Sequence, residues 1–574
     1  MKRWVIKPEP EPEIVSELQS ALNISKPLAE LLLQREINSF EKAKLFFRPS
    51  IDQLHDPFKM KDMHKAVRRL NVAIENNEKI LVYGDYDVDG TTAVSLFYGF
   101  LKNYYPNLDF YIPDRYSEGY GVSAKGIDFA FDNNFKLIIS LDCGIKSARE
   151  ITYARNKGID FIVCDHHNPG TELPAAYAIL DPKRKDCEYP FKELSGCGVG
   201  FKFLQAFCID RGIDSSNLFK YLDLLAVSIA SDIVPVIGEN RILLYYGIKI
   251  LNECPRPGMK ALIDVAGIKK VINVESIVFG LGPRINAAGR IAHAKAAVEL
   301  MLAENAEDSI GFARRINEKN IIRKDFDSSI TQEAIRMIQD DNSLLSARST
   351  VLYKEDWHKG VIGIVASRCI EKYHRPTIIL THNKGYATGS ARSVPGFDVY
   401  EAISQCADLL EQFGGHTYAA GLTIKLDKIH EFRNRFEEVV SKSIKEEMLI
   451  PKIDIDLKLP LNKINQKFYN VLKQLAPFGP GNMEPVFLSE NVCDDGSARL
   501  LKGEHLKLRI TQEDGNEFID AIGFNMPEFY PKISKGHPFN LCYQITENEF
   551  NGRKSLQLMI KDIKFVNQEN GLAV

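Results

Sequence analysis

The fold is decided by the stretch Lys79–Thr92, KILVYGDYDVDGTT, in which a short apolar run leads into three aspartates at alternate positions, Asp85, Asp87 and Asp89. These aspartates and the glycine after them match the first half of an EF-hand calcium loop, and they also match a catalytic metal site at the end of a strand. An EF-hand needs a helix before its loop and a glutamate at loop position twelve. Here the preceding residues are strand-like and that position is Leu96. The sequence therefore favours a metal site at the end of a buried strand.

The residues after this stretch alternate between short apolar runs and helical segments, which is typical of a parallel sheet built from right-handed crossovers. KLIISL ends at Asp142, DFIVC is followed by Asp165, His166 and His167, and LLAVSIAS ends at Asp232. Because ligands bind at the carboxyl ends of the strands of such a sheet, we expect these side chains to meet the three aspartates of the first stretch.

The predicted cluster combines carboxylates with imidazoles. Crowded carboxylates repel one another and raise each other's pKa unless a cation lies among them. Oxygen ligands with one or two imidazoles suit manganese or magnesium better than zinc. Two such ions can activate a water and hold both the attacking and the leaving oxygen of a phosphodiester. A single aspartate can be a plain helix cap and a single His-His pair can be incidental, so the prediction of metal-assisted phosphoester hydrolysis depends on the joint placement.

Composition places the chain among ordinary globular proteins. It has 574 residues, 45% of them hydrophobic and 26% charged, with a formal net charge of -3. The ten cysteines include no CxxC pair, which argues against a zinc ribbon or a disulfide framework. The N-terminal MKRWVIKPEPEPEI lacks the apolar run of a signal peptide, and no apolar stretch reaches the roughly 18 residues of a membrane span. We therefore expect a cytoplasmic protein whose nucleic-acid-binding surface, if it has one, is a local basic groove between two α/β domains.

The pattern along the chain predicts an α/β fold of five segments. Residues 1–60 form a leader with short helices, 61–240 a parallel-sheet catalytic domain, and 241–345 a helical region that contains a long connecting helix. Residues 346–448 form a second α/β domain, and 449–574 form short alternating strands of an OB-fold-like β-barrel, with a hairpin signal at Asn551-Gly552. Two helix starts carry capping patterns, Ser147 with Glu150 and Asp398 with Glu401.

The second α/β domain offers a phosphate site in GSARSVPGFDVYEAI, where Ser390 and Arg392 precede a predicted helix. A hydroxyl, a guanidinium and backbone amides near a helix start suit a phosphate, although Arg392 could also be a salt-bridged loop residue. His416, in a GGH loop, could contact nucleic acid or pack as a turn histidine on Tyr418. Tyr120, like Tyr116 near it, could stack on a base or pack in the core.

Several of these motifs occur together in one known family. VYGDYDVDGTT, SLDCG, DHH and ASDIVP resemble the four signature blocks of the DHH phosphoesterase superfamily, and FGGHTYAAG resembles its DHH-associated substrate-binding domain. IPDRYSEGYGVS, FGLGPRINAAGRIAHA, WHKGVIGIVASR, GSARS and the terminal barrel extend the resemblance from about Lys79 onward to one branch, the bacterial RecJ single-strand-specific exonucleases.

The resemblance implies a role for each matching residue. Asp89 and Asp142 would bridge two ions, and His167 would orient a ligand or lie beside the scissile phosphate. Tyr83 occupies a position where the wider superfamily often has histidine; Asp85 would substitute for it, either as a ligand or as a hydrogen-bond acceptor. The implied metal ligands are Asp85, Asp87, Asp89, Asp142, His166 and Asp232, the implied catalytic residues are Asp142, His166 and His167, and the implied DNA- or phosphate-binding residues are Arg115, Tyr120, Arg290, Ser390, Arg392 and His416.

The resemblance also implies an activity, which is 5′ to 3′ hydrolysis of single-stranded DNA to 5′-mononucleotides in repair and recombination. The implied partners are single-stranded DNA, a single-strand-binding protein and a helicase, with the protein itself a monomer and no membrane association. The alternative is a DHH phosphodiesterase acting on short oligonucleotides or cyclic dinucleotides, but such enzymes usually lack the barrel predicted after residue 449. A catalytically dead scaffold would be expected to have lost ligands, whereas every proposed ligand here is a competent side chain.

Overall fold

The structure, a computed structural model, describes residues 2–512, 517–550 and 552–566. Its backbone divides into two compact units. One contains residues 54–234 and 238–451, and the other contains residues 1–53, 235–237 and 452–574.

The N-terminal residues belong to the second of these units. They form one strand and three helices: β1 (Arg3–Ile6), α1 (Pro12–Leu22), α2 (Lys26–Leu33) and α3 (Phe40–Phe47). Proline in the first turn of α1 and of α2 suits a helix start, because the missing N–H has no helical partner there. The apolar faces of these helices pack into the core of the C-terminal domain.

The first α/β domain contains a five-stranded sheet in the order β3-β2-β4-β5-β6 with every neighbouring pair parallel, as predicted. The strands are short apolar runs buried on both faces, which is typical of a parallel sheet covered by helices. Its elements are α4 (Met63–Glu75), β2 (Lys79–Gly84), α5 (Val88–Leu101), β3 (Leu108–Tyr111), α6 (Ala124–Asp132), β4 (Phe135–Leu141), α7 (Ala148–Asn156), β5 (Asp160–Cys164), β6 (Ala178–Leu180), α8 (Gly196–Arg211), α9 (Ser216–Phe219), α10 (Leu222–Ser231) and α11 (Gly238–Glu253).

A helical region follows and includes the predicted connecting helix, α16, which runs for 35 residues. It packs against helices of this region and against the first helix of the next domain. The helices are α12 (Pro257–Ala266), α13 (Val274–Ser276), α14 (Gly282–Ile291), α15 (Lys295–Leu302), α16 (Ala306–Asp340) and α17 (Asn342–Ser346), with a π-helical turn at Ile277–Leu281.

The second α/β domain has a mixed sheet in the order β10-β11-β9-β8-β7, in which only β7 and β8 are parallel. Its elements are β7 (Thr350–Tyr353), α18 (Ile362–Tyr373), β8 (Thr377–Asn383), β9 (Tyr386–Arg392), α19 (Val399–Ser404), β10 (Leu410–His416), β11 (Ala419–Lys425) and α20 (Ile429–Ser443).

The C-terminal domain is a β-barrel, as predicted. Five strands close into a ring, because β14 pairs with both β18 and β16 while β19 and β17 join the other ends. The elements are β12 (Lys452–Ile455), β13 (Leu457–Lys458), α21 (Gln466–Leu472), β14 (Phe487–Asp494), β15 (Arg499–Leu501), β16 (His505–Gln512), β17 (Ile519–Gly523), α22 (Tyr530–Ile533), β18 (Phe539–Phe550) and β19 (Arg553–Phe565). β18 and β19 pair antiparallel across the predicted hairpin, of which Asn551 lies outside the described residues.

The N-terminal segment is continuous with this barrel. β1 pairs in parallel with β12, from Arg3 opposite Lys452 to Ile6 opposite Ile455. The sequence pattern treats residues 1–60 as a segment of their own, whereas the first 53 residues share a compact unit with the barrel. The exact domain boundaries given above stay predictions. In the part of the chain that the structure describes, no helix is both long and apolar enough to cross a membrane.

Candidate active site

The candidate metal ligands lie at the carboxyl-end edge of the parallel sheet. Asp85, Asp142 and His166 follow β2, β4 and β5, and Asp232 follows the last residue of α10. Asp142 adopts the left-handed conformation, with φ of 61°. A non-glycine residue in that conformation is uncommon and strained, and such strain concentrates at functional sites. This conformation occurs directly after β4, at Asp142, which the sequence predicts as a metal ligand.

His166 is the centre of the cluster. Its Nε2 atom lies 3.3 Å from Oδ1 of Asp142, 3.5 Å from Oδ2 of Asp232 and 3.7 Å from Oδ2 of Asp89. Ligand atoms of Asp89, His166 and Asp232 all lie within 4.8 Å of one another, and so do those of Asp142, His166 and His167. Two potential ion sites that share His166 therefore form from residues far apart in the sequence.

Asp89 is held in place by backbone amides at the start of α8. Its two carboxylate oxygens accept hydrogen bonds from the amides of Gly196 (2.6 Å) and Cys197 (2.9 Å), and the hydroxyl of Ser228 donates a third at 2.7 Å. The N-terminal end of a helix carries a partial positive charge that suits a carboxylate. The sequence reasoning missed these three supporting residues; the glycines of SGCGVG were the only available signal, since a glycine permits close backbone approach.

Asp165 is a further residue that the sequence reasoning left without a role, although it stands in the DHH motif itself. It is fully buried and accepts hydrogen bonds from Nδ1 of His167 (2.7 Å) and from the backbone amides of His166 and Ile145. Burial alone would lower the pKa of His167, but the hydrogen bond and the charge of Asp165 outweigh it and raise this pKa to about 9. Asp165 therefore fixes the orientation of the His167 ring.

Asp85 and Asp87 lie beside the two ligand groups and belong to neither of them within the described residues. Asp87 caps α5, since its Oδ1 accepts the amide of Gly90 at 3.0 Å. Asp85 accepts the amide of Gly121 at 3.3 Å, and its other carboxylate oxygen is buried without a hydrogen-bond partner in the described ranges. Their assignment as metal ligands stays a prediction, and Asp85 behaves here as a hydrogen-bond acceptor with one free oxygen.

The electrostatics of the cluster call for a cation. Burial, followed by repulsion from neighbouring carboxylates, raises the pKa of Asp85, Asp87, Asp142 and Asp232. Both ring nitrogens of His166 are buried and make no hydrogen bond to any residue that the structure describes. Carboxylate oxygens gathered round an unprotonated imidazole are the donor set that manganese and magnesium accept, so the residues fit these ions.

The candidate phosphate pocket lies on β9, where Ser390 and Arg392 project from one face because they are two residues apart. Nη1 of Arg392 donates to Oγ of Ser390 at 3.0 Å. A Cβ atom added to Gly363 would lie 2.8 Å from each of these side chains, so the start of α18 lies against the pair. The start of α18 therefore lies at this pair, whereas the part played by the start of α19, which the sequence suggested, stays a prediction.

Two further arginines of this unit lie near enough to Arg392 for their charges to act on one another. Nη1 of Arg290, at the end of α14, donates to the carbonyl oxygen of Gly360 at 3.0 Å, and the guanidinium of Arg115 lies 5.0 Å from the ring centroid of Tyr86. Burial, followed by the charges of Arg115 and Arg392, lowers the pKa of Arg290 to about 10. Cationic side chains that repel one another in a partly buried place form a site for an anion.

The remaining predicted residues each contact a neighbour that bears on their role. The hydroxyl of Tyr120 is 3.3 Å from Nε2 of His167, and its ring is 55% exposed, so it lies at the cluster and outside the core. His416 packs edge-on against Tyr418, as one of the two hypotheses states. Burial, followed by the charges of Arg392 and His167, lowers the pKa of His416. Tyr116 donates a hydrogen bond to the carbonyl oxygen of Arg290.

Comparison with known proteins gives one consistent family. Three family models match the chain: the DHH family N-terminal domain over residues 79–229, the DHHA1 domain over 346–442 and the RecJ OB domain over 455–562. The chain is 38% identical over 565 residues to the single-stranded-DNA-specific exonuclease RecJ of Bacillus subtilis (strain 168), covering 98% of this chain and 70% of that protein. It is 34% identical over 529 residues to the Escherichia coli (strain K12) protein of the same name, covering 87% and 90%.

A solved structure agrees with these matches. The crystal structure of RecJ in complex with Mn²⁺ from Thermus thermophilus is similar to this chain with a TM-score of 0.85 and 25% identity, covering 98% of this chain and 79% of that one.

Proposed function

The chain belongs to the RecJ family of single-stranded-DNA-specific exonucleases, and from this premise we propose that it hydrolyses single-stranded DNA from the 5′ end, releases 5′-mononucleotides and acts in DNA repair and recombination. The observation that carries the proposal is the position of His166, whose Nε2 lies within 3.7 Å of carboxylate oxygens from three separate elements. The triple-arginine pocket lies in the same compact unit.

The ligand set would hold two divalent ions, manganese or magnesium. When bound, such ions neutralise the phosphodiester and lower the pKa of an attacking water. Asp89, Asp142, His166 and Asp232 would bind them, and Asp85 and Asp87 are further candidates. His167, held by Asp165, would donate a hydrogen bond or carry positive charge beside the scissile phosphate.

The direction of hydrolysis would come from the arginine pocket. Ser390, Arg392, Arg290 and Arg115 would bind the terminal 5′ phosphate and so set the distance from the chain end to the bond that is cut. Tyr120 and His416 would contact the nucleotide held between the pocket and the ions. Because the whole chain has a net charge of -3, binding of nucleic acid would depend on local basic surfaces such as this pocket.

Substitution Asp142→Asn tests the metal centre. It keeps the side-chain shape, and asparagine tolerates the left-handed backbone of this position. Removing even a residue that supports a metal ligand costs about 10–100-fold, so kcat/KM on a 5′-phosphorylated single strand should fall by at least about a hundredfold with Mn²⁺. The matched control is Asp132→Asn, an exposed aspartate at the end of α6. Activity within tenfold of the parent would contradict the assignment.

Substitution Arg392→Ala tests the phosphate pocket. Loss of a charge-assisted hydrogen bond should lower kcat/KM on a 5′-phosphorylated strand by about ten- to a hundredfold, while the smaller activity on a 5′-hydroxyl strand stays unchanged. Arg368→Ala, on the exposed side of α18 and paired with Glu371, is the control. An equal loss on both kinds of end would remove Arg392 from the pocket.

The alternative activity is phosphodiester hydrolysis of short oligonucleotides or cyclic dinucleotides. The barrel of residues 455–562, which matches the RecJ OB domain, favours long strands as substrates, since such barrels bind several nucleotides. Time courses on a long 5′-labelled strand and on a cyclic dinucleotide separate the two: degradation of the cyclic compound alone would favour the alternative.

The same proposal includes the compartment, the oligomeric state and the partners of the protein. We infer a cytoplasmic monomer that works with a single-strand-binding protein and a helicase, because a single-strand exonuclease needs unwound substrate. None of the ten cysteines, all of which lie in the described residues, forms a disulfide, which suits a reducing compartment. Light scattering that gave twice the mass of one chain would contradict the monomer.

A further inference from the structure

A basic cleft lies on the catalytic domain beyond the metal cluster. It encloses about 650 Å³ and is lined by Asn168, Lys183, Arg184, Lys185, Cys187, Lys192 and Glu193. Asn168 directly follows His167, and Lys183 follows β6 by three residues. The cleft therefore opens at the same carboxyl-end edge of the sheet as the metal cluster.

The strand order fixes the sequence in which Arg115, the candidate metal ligands and the cleft follow one another along this edge. Arg115 follows β3 at one side of the sheet, the candidate metal ligands follow β2, β4 and β5 in the middle, and the cleft follows β6 at the opposite side. Neighbouring strands are about 4.8 Å apart, so the cleft begins about 10 Å from the end of β4. A strand whose 5′ end is held beside Arg115 and whose first linkage lies at the cluster would continue past β6.

Two of the four cationic side chains in the cleft, Lys185 and Lys192, are available to a ligand. Arg184 is satisfied by Asp62 and Asp186, and Lys183 pairs with Glu193 at 3.5 Å. Lys192 donates to the carbonyl oxygen of Cys187, and among the described residues neither it nor Lys185 pairs with a carboxylate. Lysines are flexible point charges that suit backbone phosphates, and no aromatic ring from the described part of the chain lines the cleft to stack a base.

We propose that this cleft binds the phosphate backbone of the single strand on the 3′ side of the bond that is cut, with Lys185 and Lys192 as the residues that contact phosphate. The proposal rests on the proposed function for the position of the 5′ end. It adds a substrate site that makes the enzyme sensitive to strand length, because a dinucleotide is too short to reach from the metal cluster into the cleft.

The test compares the double variant Lys185→Ala/Lys192→Ala with the parent on two 5′-phosphorylated substrates, a dinucleotide and an oligothymidylate of about 20 nucleotides, which is longer than one single-strand binding site. We expect kcat/KM to fall about tenfold on the long strand and by less than twofold on the dinucleotide. The dependence of log kcat/KM on log salt concentration should become shallower by about 0.7 for each phosphate that the variant no longer neutralises. The control is Lys136→Ala, an exposed lysine at the amino end of β4 on the far side of the same sheet.

Two results would contradict the proposal that the cleft binds the strand. One is an unchanged kcat/KM on the long strand, and the other is an equal loss on both substrates, which would place the lysines at the reaction centre. If the parent degrades neither substrate, the proposed function fails, and hydrolysis rates can no longer test whether the cleft binds DNA. Binding of the long strand by fluorescence anisotropy in EDTA then decides it: Lys185→Glu must weaken Kd by at least about tenfold, with Lys136→Glu unchanged, and equal Kd values would refute it.

Discussion

At the scale of single residues, the site is a set of charges that are unfavourable by themselves. Asp142 is buried with its side chain beside those of Asp89, Asp232 and His166, and burial followed by repulsion from the other carboxylates raises its pKa. A carboxyl group whose pKa is raised by folding binds its proton more tightly in the folded state. Its contribution to stability is present below its unfolded pKa of about 4 and is lost as the pH rises through the folded value. The metal-free protein at neutral pH therefore carries an electrostatic cost that a divalent cation would remove.

We predict that Mn²⁺ stabilises the EDTA-treated protein, and more strongly at pH 8 than at pH 5. At a concentration a hundred times the Kd, the free energy of unfolding should rise by about 2.7 kcal/mol. At pH 5 protons occupy part of the ligand set and compete with the ion, so the rise should be smaller. Differential scanning fluorimetry with and without Mn²⁺ at the two pH values measures this. The control Asp89→Asn should lose most of the shift, and a parent whose Tm does not respond to Mn²⁺ would contradict the site.

At the scale of elements, the site depends on how closely the start of α8 approaches the end of β4. The backbone amide of Gly196 donates a hydrogen bond to Asp89, and a Cβ atom added to Gly196 would lie 2.5 Å from the Cβ of Asp142.

Of the two helix caps predicted from the sequence, one is confirmed and the other is wrong. Asp398 caps α19 as predicted, since its Oδ1 accepts the amide of Glu401. The predicted cap at Ser147 is wrong, because its side chain makes no capping hydrogen bond.

We predict that Gly196→Ala reduces both activity and stability. The added methyl group must displace Asp142 or lift α8, which should lower kcat/KM by about 10–100-fold and cost about 1–3 kcal/mol of unfolding free energy. Single-turnover kinetics and urea unfolding measure the two effects. Gly311→Ala, in open space on α16, is the control, and it should leave activity unchanged and stabilise by about 0.5–1 kcal/mol. Full activity in Gly196→Ala would show that the close approach is not needed.

At the scale of the whole molecule, the two ends of the chain fold together. Leu28, Leu31 and Leu32 of α2 share a buried core with Phe487 of β14 and Leu541 of β18. β1 adds a strand beside β12 at the same unit. The barrel therefore does not complete its core from residues 452–566 alone.

We predict that Leu31→Ala destabilises the unit that contains the barrel and leaves the catalytic unit unchanged. Leu31 is fully buried, so the substitution should cost about 2–5 kcal/mol, whereas Leu45→Ala at a half-exposed position of α3 should cost little. The chain has two tryptophans, Trp4 in the barrel unit and Trp357 in the catalytic unit, so Trp4 fluorescence in a Trp357→Phe background reports on the barrel unit. A denaturation midpoint equal in the Leu31 and Leu45 variants would contradict a shared core.

The sequence by itself determined the order of the elements, the parallel sheet, the long helix, the barrel and the segments that carry the site, because these follow from local hydrophobic periodicity and short motifs. Only the tertiary structure decided which ligand atoms meet. It gathers Asp89, Asp142, Asp232 and His166 within reach of one another, leaves Asp85 beside the two ligand groups and brings the start of α18 against Ser390 and Arg392. These outcomes depend on contacts between residues up to about a hundred and forty positions apart, such as Ser228 with Asp89, and no local pattern encodes them. They are set by how the helices pack on the sheet.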